Sequence, residues 1–178
     1  MLTGSSSGES PLEIAVTLSE ASAGGVTADS YHITANDPEG RGAIRAMELA
    51  LSKAGAAPDE VTHVNAHATS TPVGDINEYV ALAGVFGERA KQIPVSATKA
   101  ATGHLLGGTG ALEALFTVLA VRNRIAPPPI NLIEQDPEIP LTVSGDPLPL
   151  GDGPQLAISN SFGFGGHNAV VAVRSYDA

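Results

Sequence analysis

The sequence predicts a layered α/β domain built on a mixed sheet, and three observations carry that expectation. Strand-like and helix-like patterns alternate in the order strand, helix, strand, helix, strand, helix, long loop, strand, strand. The interior has to be built from small residues, because aromatics make up only 4% of a chain with 20 glycines and 13 prolines. Three turns rich in glycine or threonine follow strands, and in α/β domains such turns gather at one edge of the sheet. At 178 residues and 43% hydrophobic, the chain suffices for one domain with its own core.

Residues 1–11 are rich in Gly and Ser and read as a flexible leader, which leaves 12–178 as the domain. Leu12–Leu18 alternates and branches like a strand, Ser19–Gly25 is small and turn-forming, and Val26–Thr34 is a second extended candidate ended by Asn36-Asp37-Pro38. From Glu39 to Ala54 the apolar residues Ile44, Met47, Leu51 and Ala54 follow helical spacing, and Gly55 stops the helix. Val61–His67 is a strand leading into the polar turn Ala68–Pro72. A helix follows from Pro72 or Gly74 to Phe86, then a strand over 93–98 and a helix from His104 to Arg122. Ala126-Pro-Pro-Pro129 breaks that helix, and prolines at 137, 140, 147, 149 and 154 make 130–154 a loop. Leu156–Ser159 and Asn168–Arg174 then read as two strands joined through the tight turn Phe162-Gly-Phe-Gly-Gly166.

Charge and composition exclude whole classes of function. The formal net charge is −10 with no cluster of Lys or Arg, which excludes nucleic-acid binding. An acidic carrier protein would be repelled by such a surface unless a partner chain supplied a basic docking face. With 0 cysteines there is no disulfide, no thiolate metal site and no thiol nucleophile. The start lacks the basic and apolar regions of a signal peptide, and the longest apolar helical stretch, Ala111–Val121, contains Glu113 and is too short to span a bilayer. Cytoplasmic localisation without membrane contact is the resulting expectation.

The candidate chemistry centres on Lys99-Ala-Ala-Thr-Gly-His-Leu-Leu-Gly-Gly-Thr-Gly-Ala-Leu-Glu113. A cation, an imidazole and a carboxylate share one strand-to-helix transition. Partial positive charge at the helix start favours a neutral His104, able to donate an N–H to a developing oxyanion. Gly107, Gly108 and Gly110 weaken that helix intrinsically, which points to a need for close backbone or ligand approach.

Three blocks then resemble one family. Asn65-Ala-His-Ala-Thr-Ser-Thr-Pro-Val-Gly-Asp75, Lys99-Ala-Ala-Thr-Gly-His104 and Asn160-Ser-Phe-Gly-Phe-Gly-Gly-His-Asn168 are similar to the signature blocks of β-ketoacyl-[acyl-carrier-protein] synthases. They most resemble the KAS I/II elongation group, in particular its actinobacterial mycolic-acid type. The similarity runs from about residue 26 to 174 and covers the family's C-terminal half. It implies a thiolase-like fold, here one half of it, with a mixed five-stranded sheet covered by helices. It also implies an oligomer, no bound cofactor, and substrates carried on the phosphopantetheine of acyl carrier protein. His67 and His104 match the two family histidines, which donate hydrogen bonds to the malonyl thioester carbonyl. That role requires the second ring nitrogen of each to be oriented by another partner.

By the same resemblance Lys99 and Glu113 match a lysine and a glutamate whose pairing anchors the His104 turn. Thr69 and Thr71 match hydroxyls that hold the phosphopantetheine arm, and Phe164 matches a gating aromatic beside the acylated cysteine. Blander roles stand beside these: a surface ion pair for Lys99 and Glu113, a helix cap for Thr69 and Thr71, plain core for Phe164. His32, His63 and His167 read as structural or surface residues. The family's cysteine lies on the N-terminal half, so the chain is expected to be inactive alone and to need a cysteine-bearing half or a full ketosynthase subunit. The face that normally lies between the halves should then be apolar. A non-catalytic scaffold or regulatory subunit and an inactive truncated fragment are the alternatives.

Overall fold

The computed structural model of the chain describes residues 19–176. The leader over 1–11 and the strand expected at Leu12–Leu18 lie outside the described residues. The described strands are β1 (Ser19–Ala28), β2 (His63–Asn65), β3 (Val95–Ser96), β4 (Ile125–Ala126), β5 (Leu148–Pro149), β6 (Leu156–Gly163) and β7 (His167–Ser175). The helices are α1 (Arg41–Lys53), α2 (Pro72–Phe86), the short α3 (Lys99–Thr102) and α4 (Thr109–Asn123).

The main sheet is mixed and five-stranded, in the order β1-β7-β6-β2-β3, and β4 pairs with β5 in a separate two-stranded ribbon. β2 runs parallel to both β3 and β6, whereas β7 is antiparallel to β6 and to β1. Because β2, β3 and β6 are mutually parallel, their C-terminal ends share one edge. That edge receives the three turns beginning at Ala66, Ala97 and Phe164.

Side chains alternate across the sheet and divide the core in two. On one face Val64, Leu156, Ile158, Phe162, Val170 and Ala172 pack with Met47, Ala50 and Leu51 of α1 and Ala81, Leu82 and Phe86 of α2. On the other face Ala157 and Val173 pack with Val121 of α4. The result is a three-layer domain with α1 and α2 on one side and α4 on the other.

Two sequence expectations are corrected here. Ser19–Gly25 is strand, not turn, and Gly25 serves close packing of α1 on the sheet. A Cβ on Gly25 would lie 1.9 Å from the Ala46 carbonyl oxygen and 2.9 Å from the Ala50 nitrogen. The extended run expected to Thr34 ends at Ala28, where pairing with β7 stops at His167.

The helix expected from His104 begins at Thr109. A separate turn of helix, α3, precedes it, then Gly103 at φ +70° and a 3₁₀ turn over Leu106–Gly108. Glycines and the positive φ of Leu106 (+51°) interrupt the helical path, so local backbone freedom outweighs the apolar periodicity.

Candidate active site

His67 follows β2 directly, and its loop is held from below by a buried carboxylate. The backbone N–H groups of His67 and Ala68 donate to the two oxygens of Glu78 on α2, at 2.9 and 2.8 Å. Asn160 of β6 donates its side-chain amide to the same carboxylate at 3.0 Å. Glu78 thus ties a strand end, a helix and a second strand together. Burial holds its carboxyl above the usual carboxylate range, and these three donors oppose the rise.

Burial, followed by the nearby Lys99 cation and His104, drives the His67 pKa down to about 3. The ring is therefore neutral at physiological pH. Its edge faces the His104 ring, with centroids 5.8 Å apart and planes at 84°, and Phe162 packs 5.7 Å away on another side. Among the described residues the second-nitrogen partner expected for His67 is not found: Nδ1 is buried without a hydrogen bond. Orientation comes instead from the backbone clamp of Glu78 and the packing of Phe162.

At His104 that partner is present. The Leu106 N–H donates to Nδ1 at 3.0 Å, and the Thr109 hydroxyl lies 3.1 Å from the same nitrogen. A ring nitrogen that accepts a backbone N–H carries no proton, so in the neutral ring the proton sits on Nε2 as a free donor. Thr109 is the first residue of α4. His104 itself lies outside the helix, and its ring touches the helix start through the Thr109 hydroxyl.

Lys99 and Glu113 pair deep in the protein. Lys99 Nζ lies 2.6 and 2.8 Å from the two carboxylate oxygens, and the side chains are only 5% and 2% exposed. This is not a surface ion pair. The single proton of the Thr98 hydroxyl has two acceptors in reach, Asn65 Oδ1 at 3.1 Å and Glu113 Oε1 at 3.2 Å, and Asn65 donates to the Glu113 carbonyl at 3.1 Å. The pair locks α3, whose C-terminal end carries the His104 turn, onto the buried face of α4.

Thr69 and Thr71 stand together, their hydroxyl oxygens 3.3 Å apart. Thr71 is the N-cap residue of α2 yet makes no side-chain capping bond, so its hydroxyl is not spent on the helix. A Cβ on Gly74 would fall 2.4 Å from that hydroxyl, which makes this glycine the space that Thr71 uses. A cavity of about 740 Å³ is lined by Thr69, Thr71, Asp75, Lys99, His104 and residues of the 129–143 loop. Asp75 brings a buried Oδ1 without a partner, and burial raises its carboxyl above the ordinary value.

Phe164 is 80% exposed at the β6–β7 turn and is not core. His63 is buried on the α4 side of the sheet with Nε2 at 2.9 Å from the Ser96 hydroxyl. His32 and His167 accept from or donate to backbone groups of their own turns. Among the described residues no three His, Cys, Asp or Glu side chains cluster as a metal site.

Sequence reasoning overlooked Glu78, Asn160, Asn65 and Thr98. Glu78 was visible in principle: it is a lone carboxylate three and four residues before Ala81 and Leu82, on the apolar face of α2. Asn65 and Asn160 open two of the blocks that carry the resemblance, but the roles of these residues and of Thr98 have no local signal, because polar partners from different strands meet only after folding.

The chain as a whole is similar to known proteins. Residues 18–133 match the family model described as beta-ketoacyl synthase, C-terminal domain. The chain is 48% identical over 154 residues to 3-oxoacyl-[acyl-carrier-protein] synthase 2 of Staphylococcus aureus (strain COL), covering 86% of this chain and 37% of that protein. It is 49% identical over 152 residues to the synthase of the same name from Synechocystis, covering 85% and 36%. The chain thus spans little more than a third of the length of these relatives.

Among solved structures, a beta-ketoacyl synthase from Burkholderia phymatum STM815 superposes with a TM-score of 0.81 at 37% identity, covering 89% of this chain and 38% of that one. A type II polyketide ketosynthase in complex with its acyl-carrier protein gives a TM-score of 0.83 at 30% identity, with 89% and 38% covered. A ketosynthase from Xenorhabdus doucetiae in complex with its chain length factor gives 0.78 at 34%, with 89% and 39% covered. The chain belongs to the β-ketoacyl synthase C-terminal domain family and has that domain's thiolase-like fold, a mixed five-stranded sheet with helices.

Proposed function

We propose that this domain supplies the malonyl-side half-site of a decarboxylative Claisen condensation that lengthens an acyl chain by two carbons. The observation that carries the reading is the facing pair of imidazoles, 5.8 Å apart, with His104 fixed as an Nε2–H donor by the Leu106 amide. In this reading carbon dioxide leaves the malonyl group and the bond's electron pair collects on the thioester oxygen as an enolate. His67 and His104 stabilise that oxygen as neutral donors. Lys99 and Glu113 hold the His104 turn in place, and Lys99 also keeps His67 uncharged. Thr69 and Thr71 bind the phosphopantetheine arm through hydroxyls that contact each other and are not spent on capping the helix, and Phe164 gates the acyl-holding side from its exposed turn.

Attack of the enolate carbon needs an acyl group held as a thioester, and this chain has 0 cysteines. The nucleophile therefore comes from an N-terminal half or another ketosynthase subunit. The outer face of α4 supports such a partner: Leu115 and Leu119 are exposed, beside a groove of about 480 Å³ lined by Phe116, Leu119, Ile125 and Pro127. Acyl carrier protein is the substrate donor in this reading, with no resident cofactor, and the setting is cytoplasmic fatty-acid elongation of the KAS I/II kind. The sequence blocks favour the actinobacterial mycolic-acid type within that group.

A second reading, a non-catalytic subunit that pairs with a complete ketosynthase, is supported by the similarity to a ketosynthase solved in complex with its chain length factor. One experiment separates the two. The chain is combined with a cysteine-bearing N-terminal ketosynthase half, and 3-ketoacyl product is measured from acyl and malonyl carrier substrates. Product that disappears with His104→Ala supports the half-site; stable binding without product supports the scaffold. Condensation by the chain alone would overturn the mechanism.

A further inference from the structure

Two backbone hydrogen bonds tie the loop after β1 to the β6–β7 turn. Gly165 donates its N–H to the Ile33 carbonyl at 2.8 Å, and Asp29 donates to the Gly166 carbonyl at 2.9 Å. The first of these depends on where Ile33 is held, and a single imidazole holds it. The N–H groups of Thr34 and Ala35 donate to His32 Nδ1 at 3.2 and 3.1 Å, with the Thr34 hydroxyl at 3.3 Å. These contacts close a tight loop around Ile33.

We propose that His32 is a pH-sensitive pin for the turn that carries Phe164. Neutral, its Nδ1 accepts two amides and keeps the Ile33 carbonyl on Gly165. Protonated, the same nitrogen bears an N–H that faces two other N–H donors, so the loop opens and the strap on Gly165 is lost.

The neighbouring charged groups do not reproduce this effect. Across the turn, His167 donates Nδ1–H to the Phe164 carbonyl at 3.0 Å, a bond that a protonated ring still makes. On the loop itself, Asp29 accepts from the Asn168 side chain and from the Asp37 N–H at 3.2 Å. From α1, Arg41 pairs with Asp37 at 2.6 Å and holds that carboxyl below its ordinary value.

The pin is independent of the condensation reaction and is read on the chain alone. Amide hydrogen exchange of Gly165, corrected for intrinsic rates, is followed between about pH 8 and about pH 5, the range over which histidine changes charge. Loss of one hydrogen bond's net contribution should lower Gly165 protection about tenfold at the acid end. His32→Asn, whose side-chain oxygen can accept the same local amides but does not titrate, should keep Gly165 protected throughout. His167→Asn should titrate like the unmodified chain, and the Val170 amide of β7 should stay protected. Equal protection of Gly165 at both ends overturns the proposal. So does a pH response that survives His32→Asn, one that disappears with His167→Asn, or one shared equally by Val170.

Discussion

Removing the Glu113 charge tests the best-defined electrostatic element of the site. Lys99 Nζ contacts both Glu113 oxygens, at 2.6 and 2.8 Å, with side chains 5% and 2% exposed. At an effective dielectric of about 20, unit charges about 3 Å apart attract by about 5 kcal/mol, most of which is offset by the cost of taking both ions out of water. The intact pair therefore contributes little net stability. Glu113→Gln, however, leaves the Lys99 ammonium buried with only a neutral amide and the Thr98 hydroxyl nearby, a loss of about 3–5 kcal/mol. Urea unfolding, followed by far-UV circular dichroism, should show a lower midpoint with an unchanged slope. The double variant Lys99→Met with Glu113→Leu should recover most of the loss, because two apolar side chains leave no charge behind. A single variant that loses less than about 1 kcal/mol, or a double variant no better than the single, would refute the view that desolvation and pairing nearly cancel.

Acid should destabilise the fold through His63, whose burial lowers its pKa from 6.5 to about 4. The unfolded chain binds the proton more readily, so stability is fully present above about pH 6.5 and falls by about 3 kcal/mol as pH drops through 4. Thermal melts across that window should show the dependence, and it should be shallower in His63→Gln. Gly25→Ala drives a Cβ to 1.9 Å from the Ala46 carbonyl oxygen, so the melting temperature should fall with a loss of about 3 kcal/mol or more. Gly74→Ala displaces the Thr71 hydroxyl and, in the reconstituted enzyme, should raise KM for the malonyl carrier substrate several-fold while kcat changes less. Glu78→Leu removes the acceptor of the His67 and Ala68 amides, whose hydrogen-exchange protection should then drop with that of the Asn160 side-chain amide.

Much of the fold was legible in the sequence because its signals are local. Helical spacing of Ile44, Met47 and Leu51 marks α1, and Pro72 opens α2 with Gly87 closing it. Where a small residue serves a long-range contact, the local signal misleads. Gly24 and Gly25 read as a turn, yet both are strand residues, and Gly25 lets α1 approach the sheet. The start of α4 was misplaced for a related reason, since Gly103 and Leu106 take positive φ values that suit the site and not the helix.

At the site, the sequence by itself determined which chemical groups are available: two imidazoles, an ammonium, a carboxylate and two hydroxyls, with no thiol. Tertiary structure alone decided how they are used. Parallel pairing of β2 with β3 and β6 brings the three turns to one edge. Burial turns Lys99 and Glu113 from a possible surface pair into an anchor, and it makes His67 neutral. The Leu106 amide chooses the tautomer of His104. Burial, proton position and the partners of a polar group depend on atoms distant in the chain, so they exist only once the chain has folded.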